Sequence, residues 1–358
     1  MKVIVGAGGT GGHLYPALAL VEYIKEVEPD SEFLFVGTKD RLEAEVVPQQ
    51  GYDYVGLNVR GLVGNPIKKG IAVAIFVKSI FQAKKVVKKF NPDIVIGFGG
   101  YPSASVVEAA SRLGYKTMIH EQNSIIGLTN KILIKNVDKI VCCYQKAYQA
   151  FPKEKTYLLG NPRASVIAQI EPKDIFKKYD LDKNKPLVTI VMGSLGSKSV
   201  NEMMLESLKA FEQKNYQVLY VTGKPYYDEM KNKLGELKSN IKLVPYIDDM
   251  PSVLKNTTLV VSRAGASTLA EITAIGLPAI LIPSPYVAAN HQEYNARELS
   301  DRQAAMMILE SDLNSVDFIE KVDYILENKI VQESMKKSAQ ALGKPQACQD
   351  IYKLIKEM

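Results

Sequence analysis

The strongest constraint on how this chain can fold is a repeated pattern. Short, nearly continuous apolar runs end in glycine or a polar residue, and a helix-like pattern follows almost every one. In the first half the runs are KVIVGA (2–7), EFLFVG (32–37), DIVIGFGG (93–100), KTMIHE (116–121) and KIVCCY (139–144). A second series holds PLVTIVMGS (186–194), QVLYVTG (217–223), IKLVPY (241–246), TLVVSRAG (258–265) and PAILIPS (278–284). Continuous apolar runs separated by helices indicate parallel strands buried on both faces. Handed crossovers then make a doubly wound α/β sheet the expected architecture, built twice. A chain of 358 residues has room for two such domains. They are expected at 1–162 and 163–344, joined at Gly160-Asn161-Pro162. Residues 345–358 read as a C-terminal helix (Ile351, Leu354, Ile355), and Gly343-Lys344-Pro345 marks a point where the chain can cross back.

The first strand of each half runs into a glycine-rich turn and then a helix: GAGGTGGH (6–13) and MGSLGS (192–197). Such a turn exposes backbone N–H groups at the positive end of a helix, which suits phosphate. Two of them facing across a cleft would suit a diphosphate-linked ligand. Gly6, Gly8 and Gly11 match the dinucleotide fingerprint by letter. That fingerprint also needs a carboxylate at the end of the second strand. The strand ends Phe35-Val36-Gly37 and Asp40 comes too late, so a nicotinamide cofactor is not expected. Pro16 fits the first turn of the following helix.

The three histidines, His13, His120 and His291, fall near carboxyl ends of strands, where doubly wound sheets bind ligands. His291 is expected in a polar loop, NHQEYN. No two histidines share metal-ligand spacing. Asp180-Leu181-Asp182 reads as a helix end and surface turn. Cys142, Cys143 and Cys348 give neither a disulfide framework nor a metal pattern. No metal and no cofactor are expected.

Over residues 1–163 basic residues outnumber acidic ones by seven, while the remainder is balanced to within one. Between Asp53 and Asp93 there is no acidic residue and eight basic ones. This asymmetry points to an anionic partner for the first half. The span Pro66 to Phe90 is helix-compatible, with Val73, Phe76, Ile80, Ala83, Val87 and Phe90 as a core seam. On the opposite side Ile71, Ile75 and Phe81 lie among Lys78, Lys85, Lys88 and Lys89. Apolar residues amid lysines suit a surface resting on anionic lipid, with a solvated basic face as the alternative. The run from Ile71 to Val77 has seven residues, far short of the ~18 that a membrane span needs. The opening residues reach glycine before a signal-peptide core could form, so a peripheral, cytosolic protein is expected.

Seven motifs now stand in order: GGTGGHLYPALAL (8–20), GFGGYPSAS (97–105), HEQNSIIGLTNK (120–131), GNPR (160–163), GSLGSKSVN (193–201), IDDM (247–250) and SRAGASTLAEI (262–272). Over nearly the whole chain the sequence resembles the MurG family of peptidoglycan-precursor N-acetylglucosaminyltransferases. The resemblance implies the GT-B glycosyltransferase fold, two Rossmann-like domains facing a cleft, with acceptor in the first and nucleotide sugar mainly in the second. It implies transfer of GlcNAc from UDP-GlcNAc to the 4-hydroxyl of the MurNAc of lipid I, with inversion, giving lipid II. The implied setting is the cytoplasmic face of the plasma membrane, on anionic inner-leaflet lipids and among cell-wall synthesis and division proteins, without nucleic acid. A UDP-GlcNAc 2-epimerase of the same architecture is the competing enzyme.

Carried over by position, the resemblance places Thr10, Gly11 and Gly12 near the donor phosphates and sugar. Asn123 and Gln292 contact the donor GlcNAc, Ser194 binds diphosphate, and the backbone at Ile247 reads the uracil. Ala266, Ser267, Thr268, Leu269, Ala270 and Glu271 flank the ribose and phosphates, with Glu271 on the ribose hydroxyls. Gly99, Gly100 and Tyr101 fall to the acceptor diphosphate and Arg163 to the donor, although many relatives carry that arginine where this chain has Ala164. On its own, the spacing of Thr268 and Glu271 reads as a helix capping box. An imidazole titrates at roughly 6.5, so His13 suits a general base, with Glu121 as a rival.

Overall fold

The computed structural model describes residues 1–59 and 66–358, with the side chains of 66–69 left aside. The chain divides into two compact units, Met1–Ser165 with Gln346–Met358, and Val166–Pro345.

The first unit holds seven strands: β1 (Lys2–Ala7), β2 (Glu32–Thr38), β3 (Asp53–Leu57), β4 (Ile94–Gly99), β5 (Lys116–Glu121), β6 (Lys139–Cys142) and β7 (Thr156–Leu158). Their order is β3-β2-β1-β4-β5-β6-β7 and every pairing is parallel. The apolar runs fill both faces. On one side Val3, Val5, Phe35 and Ile96 pack beneath α1 (Gly11–Val27) and the C-terminal helix Ala347–Lys356. On the other, Ile4, Val36, Val95 and Ile119 pack beneath α3 (Pro66–Phe90) and α4 (Tyr101–Arg112). A short α2 (Leu42–Gln49) follows β2. The C-terminal helix is pinned where the Cys348 N–H donates to Ser165 Oγ (2.9 Å) and Tyr23 meets Tyr352 edge-on.

The second unit holds β8 (Leu187–Val191), β9 (Gln217–Val221), β10 (Ile241–Val244), β11 (Leu259–Ser262), β12 (Ala279–Leu281) and β13 (Met306–Met307). Their order is β10-β9-β8-β11-β12-β13, again all parallel. Each sheet reverses its direction of growth once, between β1 and β4 and between β8 and β11. Ligands of open α/β sheets bind at the carboxyl ends of such neighbours.

Five expectations need correction. The helix after the first glycine turn begins at Gly11, so Pro16 lies in its second turn. A proline there loses its N–H bond and crowds the carbonyl four residues back, which belongs to the slim Gly12. His291 opens the helix His291–Ser300 and is not in a loop. The helix Ala266–Ile275 starts two residues before Thr268, at N-cap Gly265, so Thr268 is no cap and Glu271 sits in the second turn. In α3 the seam runs through Ala72, Ile80, Ala83 and Val87, while Val73 faces out at 49% exposure. Ile75, placed on the outer face by sequence, is half-buried.

Candidate functional site

In the first unit two glycine turns meet at the β1/β4 switch. Thr10, extended at φ −150°, is the N-cap of α1, and the N–H groups of Gly11 and Gly12 begin a helical turn with no intrahelical acceptor. The Gly99-Gly100 turn lies directly against this loop. Both residues hold positive φ, +112° and +83°. A Cβ on Gly100 would collide with Gly8 O, and one on Gly99 would stand 2.7 Å from the His13 ring. Only glycine permits this approach. Tyr101 then opens α4.

His13 lies in the first turn of α1, half-buried, with Nδ1 2.9 Å from Gly8 O and 3.5 Å from Thr10 Oγ1. A ring nitrogen facing a carbonyl is the protonated one, so in the neutral ring Nε2 carries the lone pair. His120, at the end of β5, is 1% exposed and stacks on Phe98, and its Nε2–H donates to Gly160 O (2.9 Å). Burial lowers its pKa to about 4, so the ring is neutral at pH 7. Glu121 beside it is also buried, and burial raises its pKa against four hydrogen bonds. Oε1 accepts from the Asn123 N–H (3.0 Å) and Nδ2 (3.4 Å), and Oε2 from the Gly127 N–H (2.8 Å) and Asn130 Nδ2 (2.9 Å). Its carboxylate thereby shapes the 122–127 loop that carries Asn123. Arg163 opens a short helix, Arg163–Gln169; burial raises the carboxyl of Glu22 in α1, and the charge of Arg163 nearby offsets part of that rise.

In the second unit the turn Gly193–Ser197 leads from β8 into the helix Lys198–Phe211. Ser194 is exposed there. The turn packs backbone to backbone on the end of β9, where Cβ atoms on Gly196 or Gly223 would strike Thr222 O or Leu195 O. Arg263, just past β11, ties the turn in place. It pairs with Glu310 at 2.5 Å and donates to Ser197 Oγ (2.8 Å) and Ile282 O (3.0 Å). Glu310 also accepts from Ser199.

Ala266 to Ala270 form the first turn of the next helix, and no side chain caps it. Glu271 is 7% exposed. Gln292 accepts from the Ser284 N–H (2.9 Å), fixing the loop after β12, and Ile247 is buried after β10. The Asp180–Asp182 segment is a surface turn: Asp180 pairs with Lys242 (2.7 Å), and Asp182 Oδ1 accepts from the Asn184 N–H (2.9 Å).

Sequence reading missed Glu43, Asn130, Arg263 and Glu310, which hold the loops from other elements. Asn130 and Arg263 lie inside two of the seven motifs without standing out there, and the contacts of Glu43 with Gly9 and of Arg263 with Ser197 and Glu310 join residues far apart in the chain.

On α3, Ile71 and Phe81 are 53% and 63% exposed, with Val73 and Val77 beside them. Lys78, Lys85, Lys88 and Lys89 are exposed on the same outer face. Among the described residues no helix is long and apolar enough to cross a membrane.

Two parallel doubly wound units, each with a glycine turn opening a helix at its switch point, define the GT-B class of glycosyltransferases. Residues 3–142 match the glycosyltransferase family 28 N-terminal domain and residues 187–351 its C-terminal domain, and the chain belongs to this family. It is 44% identical over 360 residues to the UDP-N-acetylglucosamine–N-acetylmuramyl-(pentapeptide) pyrophosphoryl-undecaprenol N-acetylglucosamine transferase of Oenococcus oeni, covering 99% of this chain and 96% of that one. The crystal structure of Acinetobacter baumannii MurG superposes with a TM-score of 0.82 at 26% identity, over 100% of this chain and 99% of the other. A putative UDP-N-acetylglucosamine 2-epimerase from Listeria monocytogenes shares the fold at TM-score 0.72, with 15% identity over 99% of this chain and 96% of that one.

Proposed function

We propose that this protein transfers GlcNAc from UDP-GlcNAc to the 4-hydroxyl of the MurNAc of lipid I, with inversion, forming lipid II. The observation that carries this reading is the end-to-end likeness to curated transferases of that reaction, against 15% identity to the epimerase. The second unit binds the donor through its glycine turn, the Ala266–Ile275 helix start and Glu271. The first unit binds the acceptor through the Gly8–Gly12 and Gly99–Tyr101 turns.

Inverting transfer requires that the acceptor hydroxyl lose a proton and that charge on the departing β-phosphate be stabilised. Preorganised N–H donors at helix starts meet the second need, because they act most strongly where charge develops. His13 meets the first. Its Nδ1–H is held by Gly8 O, which presents Nε2 as the acceptor of the proton. Glu121 and His120 support this arrangement as positioning residues. Glu121 shapes the loop bearing Asn123, and His120 ties β5 to Gly160.

The exposed face of α3 docks on the anionic lipid of the cytoplasmic leaflet, where an undecaprenyl-linked acceptor resides. Incubating the protein with UDP-GlcNAc and a lipid I analogue is the direct test. Disaccharide product is expected. Release of the 2-epimer without acceptor would overturn the reading in favour of the epimerase.

A further inference from the structure

Glu43 belongs to none of the seven motifs, yet its carboxylate lies under the first glycine turn. It projects from α2 and is 1% exposed. Oε2 accepts from the Gly9 N–H (3.1 Å), and Oε1 accepts from the Thr38 N–H (3.0 Å) and Thr38 Oγ1 (2.8 Å). Glycines border it on both sides, together with Pro102 and Tyr54: a Cβ on Gly8 would stand 2.9 Å from Glu43 Oε1 and 2.5 Å from Pro102 Cγ, and one on Gly37 would stand 2.5 Å from Glu43 Cγ and strike the Tyr54 hydroxyl. Burying a carboxylate is costly unless it is fully hydrogen-bonded, so three donors given to one buried side chain need a reason.

The reason lies in the peptide it grips. Gly9 N–H and Gly8 C=O belong to one planar, trans peptide unit, whose two dipole ends point in opposite directions. Glu43 holds the N–H end, and the C=O end faces His13 Nδ1 at 2.9 Å. An anion on the N–H polarises the peptide and strengthens its carbonyl as an acceptor.

We propose that Glu43 is a positioning residue that acts through the Gly8–Gly9 peptide to fix the tautomer and orientation of His13, a carboxylate–peptide–imidazole relay. The proposal rests on the reading of His13 as the base. The carboxylate that a dinucleotide site would offer to ribose at the end of β2 is here supplied by the next helix and turned onto the protein's own loop.

The test uses the full-length protein and its Glu43→Gln variant. One amide end of glutamine cannot accept, so either Gly9 or Thr38 loses its partner. The expected result is a fall in kcat of about tenfold or more, because small misplacements of a reacting group are costly. UDP affinity should stay within about twofold. In 15N spectra of labelled histidine, the His13 signals should move from one tautomer to a mixture. Glu108→Gln is the control. Glu108 is a buried carboxylate in α4, bound to Arg112 (2.6 Å) and Asn136 (2.9 Å), so its loss should lower the melting temperature with kcat and tautomer unchanged.

If Glu43→Gln likewise loses only stability, the relay is wrong. If it does not fold, Thr38→Val removes one donor from the carboxylate and should move kcat and tautomer the same way by less; no movement in either overturns the proposal. His13→Ala separates the two ideas. Full turnover in that variant refutes the base assignment, while the tautomer readout still decides whether Glu43 controls the ring.

Discussion

Two buried titratable side chains stand side by side at the end of β5 with opposite consequences for stability. His120 has a pKa of about 4 when folded and roughly 6.5 when unfolded, so the unfolded chain binds more protons between those values. Its contribution is complete above pH 6.5 and is lost as pH falls toward 4, by up to about 3 kcal/mol. Glu121 works the other way, since its folded pKa is raised and acidification favours the folded form. We therefore expect His120→Gln to flatten the loss of stability between pH 6.5 and 4, measured by urea unfolding against the wild type. An unchanged pH slope would mean that His120 is not buried neutral in solution. Glu271 gives a second prediction at this scale. It lies in the second turn of its helix and does not cap it, so Glu271→Gln should weaken donor binding by ~1.5–3 kcal/mol, the worth of a hydrogen bond to a charged group, with the melting temperature kept. Calorimetric titration with UDP checks this, and a lowered melting temperature at constant affinity would assign Glu271 to structure instead.

At the scale of the element, α3 separates its faces cleanly. Ile80, Ala83 and Val87 are buried, while Ile71 and Phe81 stand out among lysines. Ile71→Ser with Phe81→Ser should remove apolar contact with a bilayer and leave the core alone. Glutamine at Lys78, Lys85, Lys88 and Lys89 should remove ~1 kcal/mol of attraction per lysine near an anionic surface. Both variants should lose co-sedimentation with anionic vesicles. The lysine variant should mimic high salt, since exposed charges are screened over ~10 Å at 0.1 M. Turnover of a short-chain, water-soluble acceptor should survive in both. Equal sedimentation of wild type and variants would reduce this face to solvated surface. Sequence placed the helix but not its rotation in full: Val73 faces out and Ile75 is half-buried, because a seam read from spacing alone is uncertain by one neighbouring ridge.

At the scale of the whole molecule, Val166–Pro345 is one continuous stretch with its own sheet and its own core around Val188, Tyr220 and Val261. A fragment of those residues should fold and retain UDP affinity. Binding of UDP by the first unit alone would reverse the assignment of donor and acceptor. If the helix starts stabilise the leaving diphosphate as proposed, turnover should also persist in EDTA. Inactivation by EDTA that magnesium or manganese restores would show that a metal does this work.

The two parallel sheets were legible in the sequence, because strands buried on both faces must be nearly continuous in apolar residues and the glycine turns must interrupt them. It also marked Gly99, Gly100 and the residues around the turns as ordered motifs. It was silent on β3, β7 and β13, which are only five, three and two residues long and partly exposed. It misread the starts of three helices, whose N-cap residues Thr10, Gly265 and Asn290 make no side-chain capping hydrogen bond. What stands behind the loops emerges from the fold alone. Glu43 reaches Gly9 across 34 residues and Arg263 reaches Ser197 across 66. Such contacts follow from strand order at the switch points, and local periodicity carries no record of which distant residue the fold brings there.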